Sequence, residues 1–123
     1  MNTNISLYTV AVVIALHWTF DFVLQTHWQS MNKSSSNEAL SRHVAVYAMG
    51  LLLMGAYVCK GPAAFCAWTG FNTFAHWVTD YFTSRMNKRL WEANRPHDFF
   101  VGVGFDQMIH YLTLFTSLQL LNS

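Results

Sequence analysis

Four stretches of the chain are almost free of charge, and short polar segments separate them. Residues 5–20 and 44–59 hold no Asp, Glu, Lys or Arg, 61–79 hold only His76 as a titratable imidazole, and 99–121 hold Asp106 and His110. A helix needs roughly 20 mostly apolar residues to cross the hydrocarbon of a bilayer. Four such runs with little chain left over predict an all-α fold, an integral membrane four-helix bundle. The helices are expected at about 4–25, 36–59, 62–84 and 97–121, in a single transmembrane domain covering 1–123. Ser35-Ser36-Asn37-Glu38 has the spacing of a capping box, Lys60-Gly61-Pro62 reads as a tight turn, and Pro96 opens the last helix. No Lys or Arg precedes the first run and no small-residue cleavage site precedes Gln25, so this run is read as a retained helix.

Polar residues interrupt these runs at helical spacing. His17, Asp21 and Gln25 recur every fourth residue, and His76 and Asp80 repeat the interval, with Asn72 one step earlier. The last run carries the pair reversed, as Asp106-Gln107-Met-Ile-His110. Residues four apart share one face of a helix. At membrane depth an ionisable group costs several kcal/mol unless it pairs, binds an ion or meets water. Each stripe starts about eight residues inside its helix end, roughly 12 Å at the α-helical rise, so three helices bring imidazoles and carboxylates to overlapping heights.

Imidazole with carboxylate suits zinc, manganese, iron or nickel, and three pairs have ligands enough for two ions. The expected ligands are His17, Asp21, His76, Asp80, Asp106 and His110. One of Asp21, Asp80 and Asp106 is the candidate general base, and Gln25, His43, Asn72 and Gln107 are supporting polar groups. His43 and His27 also fit an interfacial role. The plain alternative is that each histidine pairs with an aspartate as packing glue; a further one is proton or cation relay, for which four helices require an oligomer.

Composition narrows the classes. Hydrophobic residues make up 53% and charged residues 11% of the chain, against about a quarter charged in a typical soluble domain. A net charge of +1 gives no electrostatic footprint for nucleic acid. Lys33, Arg42, Arg85, Lys88, Arg89 and Arg95 fall in the first and third loops, which the positive-inside rule places in the cytoplasm, with both termini outside the inner membrane. Cys59 and Cys66 match no common zinc spacing and read as free thiols or as a disulfide across the turn. No phosphate-binding glycine loop or nucleophile elbow is present.

The motifs His17-x-x-x-Asp21-Phe-x-x-Gln25, His76-x-x-x-Asp80-Tyr and Asp106-Gln107-x-x-His110 resemble a group of small bacterial and phage membrane proteins catalogued as a domain of unknown function. The pattern is also similar, more loosely, to membrane-bound metal-dependent hydrolases, which implies a metal and a lipid-like substrate. The leading expectation is a divalent-metal site, zinc or manganese first, that hydrolyses a membrane-associated substrate. The alternatives are an oligomeric ion or proton channel or transporter, and a small phage-type membrane effector acting through a protein partner. The expected partners are the lipid bilayer and further copies of the chain.

Overall fold

Side-chain caps and prolines divide the chain into helices near the apolar runs. The structure, a computed structural model, describes residues 4–123; residues 1–3, part of the expected domain and its amino terminus, lie outside the described residues. Among the described residues every regular element is helical. Helix α1 (Leu7–Trp18) starts where the Ser6 side chain accepts from the Thr9 amide, and it passes directly into a π-helical turn, Thr19–Val23. Helix α2 (His27–Asn32) opens on a reciprocal capping box between Thr26 and Gln29. Ser36 caps α3 (Asn37–Val58) by accepting from Ala39 N. Gly61 then turns the chain at a φ of 94°, where a side chain would be strained, and Pro62 opens α4 (Pro62–Glu92). Pro96 likewise opens α5 (Pro96–Leu121).

Helix α4 packs along both α3 and α5, while α3 also meets α1, the π-helical turn and α2. The apolar core draws on all four long segments: Val13 from α1, Tyr47, Leu51 and Met54 from α3, Trp68 from α4, and Leu114 and Leu118 from α5. Trp68 is fully buried, and its indole N–H donates to Leu114 O at 3.0 Å, tying α4 to α5. Gly50 lets α3 approach the turn closely, because a Cβ there would collide with the Phe20 ring. The core ends about one helical turn from His17, His43 and His110, so an apolar layer lies directly against a polar one.

The structure corrects the membrane reading of the chain. The chain is all-α, but it is not a membrane-spanning four-helix bundle. Among the described residues only α3 is long and apolar enough to cross a bilayer, with a mean hydropathy of 1.3, and half of that apolar stretch is buried inside the molecule. A core helix passes the same test. The α1 segment with its π-helical turn is shorter, at Leu7–Val23, and no stretch of α4 or α5 is apolar enough. The reason lies in the polar residues: Asn72, Thr73, His76, Thr79 and Asp80 on α4, and Asp106, Gln107 and His110 on α5. The multi-pass inner-membrane topology with cytoplasmic loops requires four crossings and loses its basis. The channel and membrane-effector alternatives, built on the same crossings, go with it. The basic stretch read as the third loop is mostly helix, since α4 continues to Glu92. Both cysteines are free.

Candidate metal centre

Each polar stripe reaches the centre from a different element. The π-helical turn carries Asp21, α3 carries His43, α4 carries His76 and Asp80, and α5 carries Asp106, Gln107 and His110. A π-helical turn widens the helix and re-aims its side chains, and such turns are frequent at functional sites. Here it carries Asp21 inward, 4% exposed, and leaves Gln25 beyond the helix end.

Four side chains converge on one point. Asp21 Oδ1 lies 3.1 Å from His43 Nε2 and 3.3 Å from His76 Nε2. Asp80 Oδ2 lies 3.3 Å from His43 Nε2 and 3.5 Å from His76 Nε2. The two Nε2 atoms face each other at 3.3 Å. Atoms bound at about 2.0–2.1 Å by a tetrahedral zinc lie roughly 3.3–3.4 Å apart, so these five separations are close to five of the six edges of a tetrahedral ligand cage. All four residues are buried. Asp21, Asp106 and His110 form a second group of ligand atoms within 4.8 Å of one another. The buried His/Asp cluster is thus a centre of the kind a metal-dependent enzyme requires.

Around it runs an ordered chain of hydrogen bonds. Gln107 Oε1 accepts from His17 Nε2 at 2.7 Å, which leaves His17 Nδ1 to accept from the Tyr47 hydroxyl at 2.6 Å. The Gln107 amide then donates to Asp21 Oδ2 at 3.2 Å and to Asp106 Oδ2 at 3.0 Å. Thr83 donates to the other oxygen of Asp106. His110 Nε2 lies 3.0 Å from Asp80 Oδ1 and 3.2 Å from Asp106 Oδ2. Tyr47 and His110 stack on the His76 ring at 3.8 and 4.1 Å. His43 Nδ1 and His76 Nδ1 have no hydrogen-bond partner, so packing orients these rings.

Burial and charge oppose each other throughout. Burial alone would raise the Asp21 and Asp80 carboxyls; the neighbouring His76, with Lys33 beside Asp80, outweighs it and holds both well below the usual range. Burial would lower His110, but hydrogen bonds to Asp106 and Asp80 push it up to about 10. His17 goes the other way, because burial lowers it more than Asp21 raises it. That agrees with the neutral tautomer its two hydrogen bonds require. Lys33 Nζ sits 3.2 Å from Asp80 Oδ2, and the carboxylates raise its pKa against the pull of burial.

The sequence-predicted residues sort as follows. Asp21, His76, Asp80, Asp106 and His110 all contribute ligand atoms to the two groups. His43, read only as a supporting residue, belongs to the fourfold cage. His17 stands behind Gln107, 3.5 Å from Asp21 Oδ2, and is in neither group. Asn72 is buried elsewhere, donating to Trp68 O and Ser117 Oγ, and the Gln25 side-chain oxygen is buried without a partner. Sequence reasoning missed Tyr47, Thr83 and Lys33. Tyr47 carried a signal, since it follows His43 at the same four-residue interval; Lys33 in a polar loop carried none.

A cavity of about 550 Å³ opens onto the carboxylate side of the cluster. Asp21, Asp80, Asp106, Gln107, Lys33 and Thr83 line its buried part, while the exposed Met31, Trp91 and Phe100 stand with Phe22 and Phe99 in its walls. The imidazoles of His43, His76 and His110 are not in its lining. A molecule entering would therefore meet carboxylates first.

Comparison with curated proteins and with solved structures finds no match. Residues 9–122 match the family described as protein of unknown function DUF3307, and with nearly the whole chain covered, this protein belongs to that family.

Proposed function

We propose that this protein is a metal-dependent hydrolase whose divalent ion is held by Asp21, His43, His76 and Asp80. The observation that carries the reading is the set of five ligand–ligand separations of 3.1–3.5 Å, five of the six edges of a cage close to that of tetrahedral zinc. Zinc is the first candidate, with manganese next among ions that accept imidazole and carboxylate together.

When bound, the ion would supply Lewis acidity to lower the pKa of water and polarise the bond to be cleaved. The remaining work falls to the chain. Asp106, 15% exposed and facing the cavity, is placed to accept a proton from attacking water. Gln107 and Thr83 hold its two oxygens in place. Lys33, with its ammonium at the cavity's inner end, offsets negative charge developing on the substrate. His17 and Tyr47 act as positioning residues, because they fix the Gln107 amide that aims Asp21 and Asp106. Asp21 and Asp80 line the adjoining cavity, so water would reach the ion from that side by expanding it to five ligands, an access that a closed structural site does not need.

The test is metal content by elemental analysis of protein purified without chelator, beside a hydrolase screen over ester, amide and phosphoester substrates. Bound divalent ion, turnover that chelator removes and added metal restores, and loss of both in His43→Ala support the reading. Protein that neither retains nor takes up zinc or manganese refutes it.

A further inference from the structure

We propose that the centre holds two divalent ions rather than one, bridged by Asp21 and Asp80, and that it acts on phosphate esters with an apolar organic part. The proposal rests on the metal-dependent reading above and extends it. The sharing of carboxylate oxygens points to the second ion. Asp21 turns Oδ1 to His43 and His76, and Oδ2 to the Gln107 amide that also binds Asp106. Asp80 turns Oδ2 to the same two histidines and Oδ1 to His110. Asp21 thus belongs to both the fourfold cage and the neighbouring Asp21–Asp106–His110 group, and Asp80, in the cage, reaches His110 of that group through Oδ1. Neither Asp106 nor His110 is in the fourfold cage, so one ion there leaves a second set of ligands beside it, buried but for the partly exposed Asp106. Carboxylates that share their oxygens in this way place paired ions about 3.5–4 Å apart, the separation used to clamp both oxygens of a displacement at phosphorus.

Charge and cavity chemistry select the substrate. One divalent ion with Lys33 only balances the three carboxylates, whereas two ions with Lys33 leave two positive charges, matched to a phosphomonoester dianion. Lys88 and Glu92 also line the cavity as an ion pair at 4.0 Å and add no net charge, while Phe22, Phe99, Phe100 and Trp91 offer an apolar wall to the rest of the molecule. In the reaction, water adds to phosphorus and the ester P–O bond breaks. The water's proton passes by way of Asp106 to the departing alkoxide, yielding an alcohol and inorganic phosphate.

The experiment is metal stoichiometry on the full chain, with electron paramagnetic resonance of the manganese-loaded protein. Two ions per chain and an exchange-coupled spectrum are expected for the wild type. Asp106→Asn is expected to bind one ion and give an isolated-ion spectrum. One ion in the wild type, with no coupling and no change in Asp106→Asn, overturns the pair and leaves the single-ion reading standing. No ion overturns both. The wild-type spectrum needs no variant, so a folding defect in Asp106→Asn does not blunt the test. For the substrate, a long-chain alkyl phosphate is expected to exceed methyl phosphate in kcat/KM by about tenfold or more, the worth of roughly two methylenes leaving water. Equal rates overturn the apolar part, and two bound ions without hydrolysis of either ester overturn the substrate class.

Discussion

Asp80→Asn removes one negative charge from the centre at almost constant volume. Four cationic or polar groups face that carboxylate: His110 Nε2 at 3.0 Å, Lys33 Nζ at 3.2 Å, His43 Nε2 at 3.3 Å and His76 Nε2 at 3.5 Å. Breaking a buried ion pair from one side costs roughly 3–5 kcal/mol. Lys33, 21% exposed, can turn to water, and the asparagine still accepts from His110, so the lower end applies, about 3 kcal/mol. For a domain of this size that is a fall in Tm on the order of 10 °C. The assay is thermal and urea unfolding of metal-free protein, followed by far-UV circular dichroism across pH. Because the folded pKa of Asp80 is depressed, its stabilisation is present above the ordinary value of 3.8 and is lost as pH falls through the folded value. The gap between wild type and Asp80→Asn must therefore be full at neutral pH and close on acidification. Saturating zinc should widen it at neutral pH, since ion at a hundredfold above its Kd adds about 2.7 kcal/mol to a chain that binds it. A variant as stable as wild type at pH 7, or a gap that persists into acid, refutes the electrostatic account.

Further predictions concern the neighbouring groups. With its pKa raised from 6.5 to about 10, His110 stabilises metal-free protein fully below pH 6.5, and this contribution disappears as pH rises through 10; His110→Ala should flatten that part of the urea-monitored pH profile. Gly50→Val should cost about 1–3 kcal/mol through overpacking against Phe20, and because Phe20 neighbours Asp21, metal affinity measured by calorimetry should fall with it. Chelation of metal-loaded protein should lower Tm, and re-addition of zinc should restore it in wild type but not in His76→Ala. Trp68→Phe removes the indole hydrogen bond across the buried α4–α5 contact while Leu114 O keeps its bond from Ser117 Oγ, at a cost of about 0.5–1.5 kcal/mol in urea unfolding, with metal content unchanged.

Much of the site could be read from spacing alone. The His76–Asp80 and Asp106–His110 pairs stand on single helices, and a four-residue interval places both members of a pair on one face whatever the rest of the chain does. The His17–Asp21 pair looked equivalent and is not. Its members stay 3.5 Å apart, but Asp21, on the π-helical turn, aims Oδ1 at His43 and His76, whereas His17 bonds Gln107 and Tyr47, and Gln25 lies beyond the turn. Apolar runs showed where helices form, but burial among neighbouring helices and burial in lipid call for the same residues. Composition therefore could not separate a membrane span from the core helix that α3 provides.

By itself the sequence determined the helical class, the breaks at Gly61-Pro62 and Pro96, and the presence of histidine and aspartate at ligand spacing, because these depend on local sterics and helical periodicity. Only the tertiary structure decided that His43 joins the cage, that Asp21 and Asp80 each face two ligand groups, and that Lys33 comes to rest on Asp80. Those contacts join residues far apart in the chain, and the angles at which α3, α4 and α5 pack set their distances. No pattern along one helix carries that information.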